Sequence, residues 1–170
     1  FKFIELTEND LIDAKEDGED LKALLFEYGL GLSIFEISSN LQGINNNPDK
    51  ETIKKIDLKF EAAKSLGSKL ILLKSTILKQ NYLDCSSIER ALKYIALRAS
   101  YFRVRVAYMS IPTDFSIGNV DPAIKTIESI GSPYLGLAIN SLYALSNGSR
   151  PSELRCLLYT SPSPRDTEVS

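Results

Sequence analysis

The sequence predicts an α/β fold, a partial (β/α)₈ barrel, on the strength of three observations. Strand-like and helix-like hydrophobic patterns alternate along the chain, with five strands and four helices between them. Successive units are roughly thirty residues apart, as in folds built from βα units with right-handed crossovers. These two observations also fit a doubly wound open sheet. The third observation, the alternation of bulky and smaller side chains within the strands, favours the barrel.

The predicted strands are short runs dominated by apolar residues. They read FKFIEL, LGLSIFEI, KLILLKS, RVRVAYM and YLGLAIN, at residues 1–6, 30–37, 69–75, 103–109 and 134–140. The third run is almost continuously apolar, as expected of a parallel strand covered by helices. In the last two runs the bulkier apolar set suits a helix-covered outer face. Met109 and Asn140 then point inward at the C-terminal mouth of the barrel, where barrel enzymes keep their chemistry.

Apolar residues at helical spacing predict the helices between these strands. The first covers residues 19–28, and the second begins with Asn47 as N-cap and Pro48 at the first helical position. Gly67 ends this second helix. Two further helices are predicted around residues 88–99 and from residue 121 to 130. The polar segment 38–51 is long enough to form a lid or a binding loop.

The amino-acid composition excludes several classes of function. A chain of 170 residues, 44% of them hydrophobic, is long enough to bury the core of one globular domain. The formal net charge of −2 offers no electrostatic footprint for nucleic acid or an anionic membrane surface, and no apolar run is long enough to span a bilayer. Two cysteines give no disulfide framework, and we therefore predict that the protein is located in the reducing cytoplasm. The chain has no His, so the commonest general base and metal ligand are absent.

The C-terminal stretch CLLYTSPSPRD, residues 156–166, resembles one reading frame of a transposase-based sequencing adapter. A natural Ser/Pro-rich linker is the alternative. We interpret residues 156–170 as a non-native tail and leave them out of the fold prediction. On this interpretation the natural sequence continues beyond Arg155.

Four stretches carry a family resemblance: FIELTENDL, LKALLFEYGLGLSIFEISSNLQG, KFEAAKSLGSKLILLKS and AIKTIESIGSPYLGLAINSLYAL. They resemble the xylose isomerase-like TIM barrels of the sugar phosphate isomerase/epimerase group, and most of all the 3-dehydroshikimate dehydratase branch. Some members of that branch are fused to a 4-hydroxyphenylpyruvate dioxygenase-like domain. The resemblance covers nearly all of residues 1–155, which we assign to one domain. It implies that this domain holds about strands two to six of eight.

The resemblance also implies a metal site from which this chain departs. Intact relatives hold one divalent metal (Mg, Mn or Co) at the barrel mouth and use it to isomerise or dehydrate small polyhydroxylated substrates. The branch ends its fifth strand with Tyr-Glu, where this chain has Tyr108 and Met109. It ends its sixth with Asp-Ser-Phe-His, where this chain has Asn-Ser-Leu-Tyr at 140–143. A thioether is soft and an amide is uncharged, so we expect no metal cofactor in this chain.

Four residues remain as candidate substrate-binding groups: Glu36, Lys74, Asn140 and Tyr143. A catalytic residue cannot be assigned. The first hypothesis is a divergent sugar phosphate isomerase/epimerase-like barrel without a working metal site. The alternative is a metal-free domain that binds a small polyhydroxylated or carbonyl ligand, or has a structural role only. A weaker third is a lyase in which Lys74 forms a Schiff base.

Two further carboxylates, Glu5 and Glu8, lie near the end of the first predicted strand. Capping of a helix by Asn9 or Asp10 explains much of this stretch without any chemistry. We therefore assign no role to these two carboxylates. The oligomeric state is not predicted.

Overall fold

The computed structural model of the protein describes residues 2–39, 41, 44, 48–75, 85–109 and 120–146, without the side chains at 39, 75, 85, 120, 121, 143 and 146. The strands within these ranges are β1 (Phe3–Thr7), β2 (Gly31–Ser39), β3 (Leu70–Ser75), β4 (Arg105–Met109) and β5 (Leu135–Ala138). The helices are α1 (Glu8–Glu16), α2 (Leu21–Glu27), α3 (Lys50–Ser65), α4 (Cys85–Phe102), α5 (Val120–Ile130) and α6 (Ser141–Ser146). The tail 156–170 and the domain boundary at residue 155 lie outside the described residues.

The sheet has the order β1-β2-β3-β4-β5, and every neighbouring pair is parallel. A sequential order means that every crossover steps in the same direction, so right-handed connections place the intervening helices on one face. A doubly wound sheet would reverse its order part-way. The α/β partial barrel is therefore confirmed. Among the described residues the sheet is not closed, because β1 and β5 each pair on one side only.

The strand register separates a helix-facing side from an inward side. The helix-facing rows are Phe35, Ile71, Val106 and Leu135, and then Ile37, Leu73, Tyr108 and Leu137. The first row is at most 6% exposed, and its members belong to the hydrophobic core. Burial of each large apolar side chain stabilises the fold by about 1.5–3 kcal/mol. The bulky apolar set of these strands therefore faces the helices, as predicted.

The start of α1 differs from the prediction. Thr7 is the N-cap: its hydroxyl accepts a hydrogen bond from the Asp10 backbone N–H at 3.3 Å. The Asp10 carboxylate accepts one from the Thr7 N–H at 2.6 Å, which completes a capping box. The prediction that Asn9 or Asp10 caps this helix is wrong. The helix is not among the four that apolar periodicity predicts, because it buries only Ala14.

The start of α3 lies two residues later than predicted. Asp49 is the N-cap, and its carboxylate accepts a hydrogen bond from the Thr52 N–H at 2.8 Å. Pro48 is buried ahead of the helix rather than at its first position, and Asn47 lies outside the described residues. The end of the helix agrees with the prediction, since Gly67 follows it at φ 82°.

The predicted lid segment, 38–51, is described only in part. Leu41 and Ile44 are 1% and 5% exposed and belong to the hydrophobic core. These two positions are therefore held by packing, and the lid function stays a prediction. Among the described residues, none of the helices combines the length and the apolar character that crossing a membrane would require.

Candidate functional site

A row of inward-facing residues crosses the carboxyl ends of the strands. Ser38, Lys74, Met109 and Ala138 are register partners on β2, β3, β4 and β5. Neighbouring strands lie about 4.8 Å apart, so the row spans about 14 Å. The carboxyl ends of parallel strands are where barrels place their ligands. This row is the candidate site.

Glu36 and Lys74, two of the predicted ligand-binding residues, form an ion pair at this row. The Lys74 Nζ lies 2.5 Å from the Glu36 Oε1, with 32% and 25% of the two side chains exposed. Glu36 precedes Ser38 by two residues on β2 and lies opposite Leu72 of β3. Its contact with Lys74 therefore runs diagonally across the two strands. A partly exposed ion pair of this kind contributes at most about 1 kcal/mol to the stability of the fold. Schiff-base chemistry needs a neutral amine, whereas the Lys74 ammonium is engaged by a carboxylate.

A second ion pair fixes the end of β2 beside Lys74. The Lys59 Nζ lies 2.9 Å from the Glu8 Oε1 and donates to the Ser38 carbonyl oxygen at 2.7 Å. The Ser38 N–H in turn donates to the Glu8 Oε2 at 2.9 Å. Both backbone groups of Ser38 are therefore satisfied, which holds this strand end in place. Sequence reasoning gave Glu8 no role and missed Lys59, because the partners are 51 residues apart.

Met109 and Asn140, where the resemblance implies metal ligands, occupy different surroundings. Met109 is 6% exposed and lies between Lys74 and Ala138 in the inward row. Asn140 lies beyond the end of β5, which stops at Ala138, so the predicted strand 134–140 is two residues too long at that end. The Asn140 Oδ1 accepts a hydrogen bond from the Leu142 N–H at 3.0 Å. This amide therefore caps α6.

The predicted role of Tyr143 stays a prediction. The residue belongs to α6, but its side chain lies outside the described residues. As the third residue of that helix, it follows the carboxyl end of β5 by five residues. The structure therefore brings Glu36 and Lys74 together, whereas Asn140 caps α6.

The donor set of the inward row does not fit a hard divalent cation. Such ions take oxygen ligands, mostly carboxylates, whereas this row offers one hydroxyl, a buried thioether and an ammonium group, and no carboxylate. Within the described ranges, no three His, Cys, Asp or Glu side chains form a group that could hold a metal ion. The carboxylates beside this row, Glu36 and Glu8, are already paired with Lys74 and Lys59.

Comparison with known proteins decides the family. The chain matches the xylose isomerase-like TIM barrel family over residues 1–148. The chain belongs to this family. It is 22% identical over 151 residues to a 3-dehydroshikimate dehydratase of Pseudomonas aeruginosa, and 19% identical over 155 residues to one of Pseudomonas putida. These matches cover 89% and 91% of the chain but 24% of each relative, so the chain spans about a quarter of their length.

Solved structures show the same fold. A fusion of a xylose isomerase-like TIM barrel with a 4-hydroxyphenylpyruvate dioxygenase has a TM-score of 0.77 at 19% identity, over 92% of this chain and 25% of that one. An IolI protein with a bound zinc atom has a TM-score of 0.70 at 17% identity, over 91% and 58%. A probable 3-dehydroshikimate dehydratase, AsbF of Bacillus anthracis, has 0.68 at 16% identity, over 94% and 60%. The family resemblance drawn from the sequence is confirmed.

Proposed function

We propose that this chain is part of a divergent xylose isomerase-like barrel, similar to 3-dehydroshikimate dehydratases, without a working metal site. Two curated relatives carry that activity in their names, and a structural relative binds zinc. The observation that carries the proposal is the register pairing of Lys74 with Met109 in the inward row. A cationic and a neutral side chain stand together at the mouth, where the family resemblance implies an anionic ligand.

Electrostatics supports this proposal. Lys74 and Glu36 form a pair with no net charge, so the pair offers a dication no net attraction. Met109 and Ala138, the neighbours of Lys74 along the inward row, are neutral and add no carboxylate. The described part of the mouth therefore disfavours Mg²⁺ or Mn²⁺.

The proposed ligand is a small polyhydroxylated or carbonyl compound, held by Glu36, Lys74, Asn140 and Tyr143. A second candidate function is ligand binding without catalysis. The Glu36–Lys74 pair favours it, because both side chains remain about one-quarter to one-third exposed at the mouth. Such a pair offers a donor and an acceptor to a bound hydroxyl or carbonyl oxygen.

The test is a turnover assay on the full 170-residue chain. The chain is mixed with 3-dehydroshikimate, with Mn²⁺ or with EDTA, and loss of water is followed by mass spectrometry. The dehydratase of Pseudomonas aeruginosa serves as the positive control. We expect no turnover that depends on the metal. Dehydration that Mn²⁺ supports and EDTA abolishes would overturn the proposal, and binding without turnover would favour the second candidate.

A further inference from the structure

We infer that the ammonium group of Lys74 binds the carboxylate of an anionic ligand at this mouth, supplying the positive charge that a metal ion would otherwise provide. The inference rests on the proposed function, because it needs a mouth without a divalent ion. It names the substrate class more narrowly: a small monocarboxylate rather than any polyhydroxylated compound.

The contacts of Lys74 leave room for a ligand. An ammonium group has three donors, and the Glu36 Oε1 accepts one of them. Among the described residues, Lys74 has no other partner in a hydrogen bond or ion pair. Its side chain is 32% exposed, so a ligand in the mouth can reach the remaining donors. A carboxylate oxygen could accept a hydrogen bond from one of them.

The charged residues that face inward on the described strands identify Lys74 as the group that can bind a carboxylate. Four charged residues of the described strands face inward: Glu5 and Arg105 toward the amino ends, Glu36 and Lys74 toward the carboxyl ends. Lys59, a second cation of the described residues near this end, reaches from α3 and is engaged by Glu8 and the Ser38 carbonyl. Lys74 is therefore the inward-facing cation at the carboxyl ends of the described strands.

The surroundings favour a monocarboxylate over a phosphate. The Lys74–Glu36 pair has no net charge, so a singly charged ligand leaves the mouth with one excess negative charge and a phosphate ester with nearly two. The described strands bring no guanidinium to this end, and guanidinium forks are the groups that recognise phosphate bidentately. The buried Met109 beside Lys74 gives an apolar wall. An apolar wall excludes water and so strengthens a charge-assisted hydrogen bond.

The experiment compares 3-dehydroshikimate with its methyl ester, by ligand-observed NMR on the full chain in EDTA. The ester keeps the ring, the carbonyl and the hydroxyl groups but loses the negative charge. We expect the acid to bind at least about tenfold more tightly than the ester. Lys74→Gln should remove that difference by weakening binding of the acid alone.

Two further variants keep the test sharp. Lys64→Gln makes the same charge change at an exposed site near the end of α3, and it should leave binding of the acid unchanged. Glu36→Gln removes the anion that competes for Lys74, and it should tighten binding of the acid by a few-fold. Circular dichroism of each variant checks that the fold is kept.

The inference is overturned if acid and ester bind equally, if neither binds to the unmodified chain, or if Lys74→Gln and Lys64→Gln have the same effect. All three outcomes are measured in EDTA, and the first and third leave the metal-free mouth standing. Metal-dependent turnover would instead overturn the proposed function, whatever the ester comparison gives. The two failures are therefore distinguishable.

Discussion

Arg103 has a backbone conformation that is costly for its residue type. Four glycines have positive φ where helices of this chain end, at Gly18, Gly29, Gly67 and Gly131. Arg103 takes the same conformation after α4, at φ 57°. A side chain there meets the steric penalty of the left-handed region, about 1–2 kcal/mol, which glycine avoids.

Replacement of Arg103 by glycine should therefore stabilise the protein. Because glycine also loses more backbone entropy on folding, we expect Arg103→Gly to raise the free energy of unfolding by about 0.5–1 kcal/mol. Urea unfolding measures the change. The matched control is Gly67→Ala, at φ 82° with no atom within 4 Å of the added Cβ, which should lower the same quantity by about 1 kcal/mol. A loss of stability in Arg103→Gly would contradict this account.

Asp49, the cap of α3, should make stability depend on acid pH. The hydrogen bond from the Thr52 N–H, the largest cause, lowers the pKa of Asp49 below its usual value of 3.8. A lowered pKa gives stability that is present above the unfolded value near 3.8 and is lost as the pH falls through the folded value. Asn caps helices as well as Asp does. Asp49→Asn should therefore have the same melting temperature as the unmodified chain at pH 7. Below pH 4 its melting temperature should decrease less than that of the unmodified chain.

A flat pH response of the unmodified chain in this range would contradict the cap. The same would follow if Asp49→Asn lost stability as steeply as the unmodified chain. Asp10 has a pKa lowered by the Thr7 N–H in the same way, so a small residual slope is expected in the variant.

At the scale of elements, α3 and α4 are joined by one charged and aromatic contact. The Arg98 Nε and Nη2 donate to the two carboxylate oxygens of Asp57, each at 2.8 Å. The guanidinium lies 4.8 Å from the Tyr101 ring centroid, and Phe102 stacks on Phe60 at 5.4 Å. A bidentate pair that is only 21% and 25% exposed has its partners held by packing.

Asp57→Asn should therefore cost more than the loss of an ordinary surface pair. We expect a decrease of about 1 kcal/mol in the free energy of unfolding, after allowance for solvent screening. The matched control is Glu51→Gln, which breaks a Lys55 pair that is about three-quarters exposed and should cost less than Asp57→Asn. Equal effects in urea unfolding would show that the Arg98 contact adds nothing.

The elements themselves could be predicted because their patterns repeat along the chain. Five strands and four helices were predicted from periodicity, and strand parity assigned Val106 and Tyr108 to the helix-covered face. Helix α1 was missed, since a helix with one buried residue leaves no apolar stripe. The start of α3 was misplaced because Asn47 and Asp49 are both good N-caps, and only the backbone shows which one accepts the bond.

At the scale of the whole molecule, the site depends on contacts that no local pattern encodes. Glu36 and Lys74 were each predicted as ligand-binding residues, but their pairing follows from strand register. The same holds for Glu8 and Lys59, which tertiary packing brings together. Asn140 was predicted at a strand end because sequence parity cannot show that its amide caps the following helix.

The described edge at β1 carries exposed apolar surface. A cavity of about 230 Å³ lies beside this strand, lined by Ile4, Leu6, Leu21, Leu24, Leu25, Tyr28 and Leu30. Phe26 and Tyr28 are 88% and 71% exposed. Unpaired strand edges next to apolar surface promote aggregation.

We therefore expect residues 1–155, expressed alone, to be aggregation-prone. Light scattering and thermal melts test this. Phe26→Lys should reduce aggregation without lowering stability, because its side chain is almost fully exposed. A sample that stays monodisperse in light scattering would contradict the prediction.

The central claim is that the described mouth cannot hold a divalent cation, and Mn²⁺ binding followed by electron paramagnetic resonance tests it most directly. The measurement compares the full chain with a triple variant, Met109→Glu, Asn140→Asp and Lys74→Gln, which adds two carboxylates and removes the ammonium group. We predict that the unmodified chain leaves the Mn²⁺ signal of free solution unchanged at micromolar protein, and that the variant reduces it. Micromolar binding by the unmodified chain that weakens when Asn140 is replaced by Ala would place the ion at the mouth and contradict the claim.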